Sequence, residues 1–151
     1  MKSILRNVLA VIIGLFTGGI VNMALVVIGP HVIPPPPGVD LTNAQSLAAS
    51  IHLLQPRHFL FPFLAHALGT LVGALVAYLI AANGRRWLAY GIGILSLAGG
   101  IAAARMIPAP AWFVTLDLVA AYLPMAALAA CLGRHLMAPS APAGSGDAAA
   151  K

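Results

Sequence analysis

The sequence predicts an all-α, membrane-embedded fold: four transmembrane helices in an up-down bundle, with a short amphipathic helix in the first connection. Three observations predict it. The 151 residues are 61% hydrophobic and 7% charged, too apolar for a soluble domain and too few for several domains. The apolar residues gather into four runs of bilayer-spanning length, about 5–29, 59–82, 88–107 and 112–137. Residues that stop helices separate the runs: the prolines Pro34 to Pro37, the pair Asn83-Gly84, and Pro108-Ala109-Pro110. One membrane domain, 1–137, is expected, followed by a Pro, Ala, Gly and Ser tail, 138–151, expected to be disordered and cytoplasmic.

The first run opens with Lys2 and Arg6. It is too long for the apolar part of a signal peptide, and no A-x-A pattern follows it. Ala10, Gly14, Gly18 and Asn22 share one helix face, and Gly14 and Gly18 form a GxxxG pair. Pro34 to Pro37 favour an extended exit of ~12 Å at about 3.1 Å per residue. Thr42-Asn43-Ala44-Gln45 fits a capping box, and Ala44, Leu47, Ala48, Ile51 and Leu54 then follow helical spacing, giving a short helix over about 43–54. Its apolar stripe suits either the membrane surface or the mouth of the bundle.

The second run, Phe59 to Ala82, is the one the others should pack around. Ala65, Gly69, Gly73 and Ala77 recur every fourth residue and place small side chains along one face, where a neighbouring backbone can approach. Pro62 falls in its first turn, where a missing N–H costs little. Arg85, Arg86 and Trp87 then read as a tight basic turn before a third run rich in glycine and alanine. Trp112 anchors the fourth run at an interface, and Pro124 should kink it. Lys2, Arg6, Arg85, Arg86, Arg134 and Lys151 collect on one side of these spans and Arg57 and Arg105 on the other, which by the positive-inside rule makes both termini cytoplasmic.

Composition narrows the chemistry. The three acidic residues are all Asp, so the carboxylate pairs of acid–base enzymes are largely missing, and no enzyme is expected. The net charge of +5 comes from basic residues placed singly or in pairs between apolar runs, which suits membrane topology and not nucleic acid. The single cysteine, Cys131, excludes an intrachain disulfide. It stands four residues from His135 and beside Arg134, which could activate a thiol, but a small apolar packing residue is the expected role. No two histidines stand at ligand spacing, so neither metal nor other cofactor is expected.

The candidate site is polar and intramembrane. Arg105 and Asp117 lie inside predicted spans on either side of the Pro108-Ala109-Pro110 turn and are expected partners, because an unpaired charge at the bilayer centre costs about 2.5–3.5 kcal/mol. Asn22 and His66 lie at similar depth. At 1.5 Å per residue the four fall ~4 to 11 Å below the outer span ends, so Asn22, His66, Arg105 and Asp117 are expected to form one cluster in the outer third of the bundle.

The segments HFLFPFLAHALGTLVGALVAYLIAA, Pro108-Ala109-Pro110-Ala111-Trp112-Phe113, Leu116-Asp117-Leu118 and Ala121-Tyr122-Leu123-Pro124-Met125 resemble a family of small, uncharacterised four-helix inner-membrane proteins of bacteria, over about residues 5–136. The resemblance implies a location in the bacterial cytoplasmic membrane and transfers no activity. The expected role is a non-enzymatic scaffold or accessory subunit, its partners the lipid bilayer and a second copy or another membrane protein. The alternative is a transporter or ligand-binding protein that uses the polar cluster.

Overall fold

The computed structural model describes residues 1–41 and 43–138. Helices α1 (Lys2–Val32), α3 (Leu60–Ile80) and α4 (Arg85–Met106) each cross the bundle. The fourth crossing is divided into α5 (Ala111–Ala120) and α6 (Leu123–Leu136), and α2 (Ala44–Ser50) lies in the first connection. All four crossings are long and apolar enough to span a bilayer. The chain is therefore an all-α, multi-pass membrane protein. The long connection and the Ile107 to Pro110 turn meet at one end of the bundle, the loop end. The start of α1, the Ala81 to Gly84 turn and the end of α6 meet at the other, the terminal end.

α3 is the helix the others share, since it packs on α1, α4 and α6. Its small-residue face makes the tightest seam. A Cβ added at Gly73 would lie 2.7 Å from the Gly14 carbonyl oxygen, and one added at Gly14 would lie 2.6 Å from that of Gly73. Gly18 and Gly69 stand in the same reciprocal relation, and Ala65 and Ala77 are fully buried. Lipid supplies no hydrophobic drive between helices, so such close approach, with its many dispersion contacts, holds a seam together. Toward the terminal end Ala74, Ala77, Ala89, Ile92, Ala126 and Ala129 form a close-packed core.

The terminal end is also tied by polar contacts at the C-terminus of α3, where the last carbonyls of a helix lack intrahelical partners. The Arg6 guanidinium donates through Nε to the Ile80 carbonyl at 2.6 Å. Asn7 accepts from the Ala82 amide at 2.9 Å and donates to Asn83 Oδ1 at 2.8 Å. Gly84, at φ +59°, turns the chain into α4. Arg85, Arg86 and Trp87 therefore form the first turn of α4 and not a connection, a correction that lengthens the third span by a turn.

Four further departures occur toward the loop end. α1 continues through Pro30 to Val32, because proline removes one donor while the Ile33 amide still closes the last turn on the Gly29 carbonyl at 2.8 Å. The extended exit is shorter than four prolines suggest: Val39 N–H donates to Pro36 O at 3.2 Å across Pro37-Gly38, and Gly38, at φ +85°, reverses the chain. The cap of α2 is Asn43, whose Oδ1 accepts from the Ser46 amide at 2.8 Å, and Thr42 lies outside the described residues. The fourth crossing breaks outright at Ala121 and Tyr122 instead of bending, since Pro124 has no N–H for a continuous ladder. Residues 139–151, nearly all of the expected tail, lie outside the described residues.

Candidate functional site

The loop end is hollow. A cavity of about 520 Å³ is roofed by Leu47, Ile51 and Leu54 of the first connection and walled by residues such as Val27, Phe61 and Ile107. The apolar stripe of the loop helix thus covers the mouth of the bundle, the alternative that periodicity alone left open. His58 fastens the roof: its Nδ1 accepts from the Gln55 amide at 2.9 Å, which leaves Nε2–H to donate to the Pro34 carbonyl at 3.1 Å.

His66 and Asp117 border this chamber together. His66 comes from the second turn of α3 and Asp117 from the middle of α5. The His66 Nδ1 lies 2.9 Å from both carboxylate oxygens. Asp117 is 5% exposed, so its charge is taken out of lipid and water alike. Tyr122, 2% exposed, donates its hydroxyl to Asp117 Oδ2 at 2.9 Å, and its ring stacks on His66 with centroids 5.7 Å apart.

The break between α5 and α6 makes this possible. Helical neighbours stand three or four residues apart, whereas Asp117 and Tyr122 are five apart. Tyr122, at φ −119° and ψ −78°, leaves the helical path and brings its phenol back over the carboxylate. The phenol then lies across Gly100 of α4, where a Cβ would collide with the ring. A glycine in α4, a break before Pro124 and an aspartate one turn earlier therefore act as one unit.

Chemically, two donors converge on a buried carboxylate, the arrangement that makes burial of a charge tolerable. Because Nδ1 holds the shared hydrogen toward Asp117, Nε2 is the ring nitrogen left to meet a ligand. It accepts a hydrogen bond when the ring is neutral and donates one when the ring is protonated. Among the described residues no third His, Cys, Asp or Glu joins the pair, as a metal site would require.

Of the four residues expected to cluster, the structure brings His66 and Asp117 into contact. Asn22 borders a second, smaller cavity that His66 also lines. Arg105 is a correction: it is exposed in the last turn of α4 and makes no ion pair with Asp117. The unpaired carbonyls at that helix end and the nearby headgroup region suit a long cationic side chain without a carboxylate partner. His66 takes the place foreseen for Arg105, because Asp117 faces α3 across the bundle. Tyr122 was missed by sequence reasoning. Its signal was a polar aromatic two residues before an intraspan proline.

No family model, curated protein or solved structure matches the chain.

Proposed function

We propose that this is a non-enzymatic, ligand-binding protein of the bacterial inner membrane, with both termini cytoplasmic, that holds an apolar molecule beneath its outer loop with a polar atom of that molecule against His66 Nε2. The single observation that carries the reading is the apolar chamber of about 520 Å³ bordered by the His66–Asp117 pair. Ligand sites are typically cavities of roughly 300–1,000 Å³ lined by apolar side chains with a few converging polar groups. Binding is favoured over transport because the alanine core fills the bundle between α3, α4 and α6 toward the terminal end and blocks the way from the chamber to that end between these helices. The orientation rests on the Lys and Arg asymmetry between the two ends.

The test uses the full chain in nanodiscs with a diazirine-bearing long-chain alcohol as probe. Saturable photolabelling of the chamber walls is expected. It should be abolished by Ala104→Phe, which fills the chamber, and weakened by His66→Ala. Labelling that stays linear in probe concentration, or that ignores both changes, would sink the reading. Orientation is tested with a reporter active only in the cytoplasm, expected to work after Met137 or at Gly84 and to fail at Gly38.

The scaffold or accessory-subunit role is the second reading, favoured by α1. Only 11% of its most apolar window is buried inside the chain, the lowest share of the four crossings, so most of its surface is left for lipid, a second copy or another membrane protein. Copurification of a stoichiometric partner whose contact is lost on substituting exposed α1 residues such as Phe16 would favour this role over ligand binding.

A further inference from the structure

The smaller cavity, about 260 Å³, is bordered by α1 on one side and α4 on the other, and it meets the chamber at His66, Gly100 and Ala103. α1 packs along α3 and only marginally on α4. Gly19 and Gly99, which border the cavity from the two helices, are exposed, so it is a crevice open on the flank of the bundle. In a membrane that flank faces acyl chains.

The lining of the crevice, though mostly apolar, carries polar side chains where lipid would make that costly. Thr70 is 3% exposed, and its hydroxyl has no hydrogen-bond partner among the described residues. Because no sealed side-chain oxygen or nitrogen among the described residues lacks a partner, this hydroxyl must reach open space, and the crevice is the cavity it lines. Asn22 and Ser96 border the same space, half-buried and likewise without side-chain hydrogen-bond partners among the described residues. Hydrocarbon offers no partner to an unmet polar group, so the crevice is built for something that hydrogen-bonds.

Depth and charge define that occupant. Thr70 is the middle residue of α3 and Ser96 lies at the middle of α4. Both are therefore ~15 Å from either helix end, close to the midplane of a hydrocarbon core about 30 Å thick. A phosphate headgroup does not go there, and among the described residues no Lys or Arg borders the crevice to receive one. Hydroxyl and carboxamide donors suit carbonyl oxygens. The walls at Gly19 and Gly99 carry no side chain, and nothing lies within 4 Å of a Cβ built on either, which leaves open space there for a planar group. The volume holds a head and not a whole lipid, whose tail would stay among the acyl chains.

We infer that the crevice binds the uncharged, planar, carbonyl-bearing head of a membrane-dissolved lipid of the isoprenoid-quinone type, with Thr70, Ser96 and Asn22 as its hydrogen-bonding groups. This site is separate from the chamber except where the two meet, and it does not depend on the chamber being occupied.

The test places the full chain in phosphatidylcholine nanodiscs with an isoprenoid benzoquinone carrying a diazirine beside its ring. Saturable labelling of peptides around Gly19 and Gly99 is expected. Gly99→Leu should abolish it, and the near-isosteric Thr70→Val should weaken apparent affinity roughly tenfold. Melting temperatures should hold in both, because the added leucine enters open space and the lost hydroxyl had no bond to lose. Ala104→Phe, which fills only the chamber, should leave this labelling unchanged. If Gly99→Leu does not fold, Thr70→Val decides. Labelling that is linear in quinone concentration or undiminished in Thr70→Val means that the crevice holds only water or acyl chains, and overturns the proposal. Equally saturable labelling of these peptides by a diazirine-bearing phosphatidylcholine overturns the choice of an uncharged head.

Discussion

The two ends of this bundle solve helix packing in opposite ways. Toward the terminal end, alanine and glycine let backbones touch, and Arg6 and Asn7 satisfy the exposed end of α3. Toward the loop end, large rings stand between the helices. Phe59 meets Trp112 edge-on at 5.6 Å and Phe113 at 4.8 Å, while Phe61 fills the space beside Gly29. Small residues close a bundle and rings prop it open, so one chain obtains a firm base and a cavity from the same helices. The polar cluster sits where the regimes meet, since only there is there room for an imidazole and a phenol around a buried carboxylate.

The comparison breaks most readily at the seam. Gly73→Leu pushes a side chain into the backbone of α1 at Gly14, and a loss of ~3 kcal/mol or more is expected, since overpacking commonly costs about 1–3 kcal/mol even where side chains can yield. Thermal unfolding in detergent measures it. Gly19→Leu, on the open side of α1, is the matched control and should leave stability within ~0.5 kcal/mol. Equal effects would mean that α1 is not held by backbone contact.

Next in size is Asp117→Ala, which leaves His66 and Tyr122 without their common acceptor. A destabilisation of about 2–3 kcal/mol is expected. A double-mutant cycle with His66→Ala should show coupling, and additive losses would mean that the 2.9 Å contact carries no energy. Tyr122→Phe is smaller. It keeps the ring against His66 and Gly100 and removes one hydrogen bond, so a loss of about 0.6 kcal/mol and no more than ~1.7 kcal/mol is expected, the mean and the maximum for such bonds in a membrane protein. Its unfolding midpoint should fall between those of Asp117→Ala and the unaltered protein.

The least effect is expected at Arg105. Arg105→Gln should change stability by less than ~0.5 kcal/mol, because the side chain is exposed and pairs with no carboxylate among the described residues. A loss as large as that of Asp117→Ala would restore Arg105 to the cluster and show that the ion pair first expected is formed in the membrane.

The sequence by itself determined the number, order and approximate limits of the crossings, because the transfer of some twenty apolar residues into a bilayer is a sum over local composition. It also determined that α3 carries a face for close approach, because four-residue periodicity is a local property of a helix. Only tertiary structure decided which group meets Asp117. Depth in the membrane can be counted along a span, but azimuth depends on how each helix is rotated against its neighbours, and Arg105 and His66 lie at depths too similar to separate by counting. The break at Ala121 and Tyr122 was equally out of reach: a proline announces that a helix is disturbed, yet whether it bends or parts depends on what the freed residue finds. Here Tyr122 finds the Asp117 carboxylate, five residues back, for its hydroxyl and the space over Gly100 of the neighbouring α4 for its ring, and those two contacts hold the helix open.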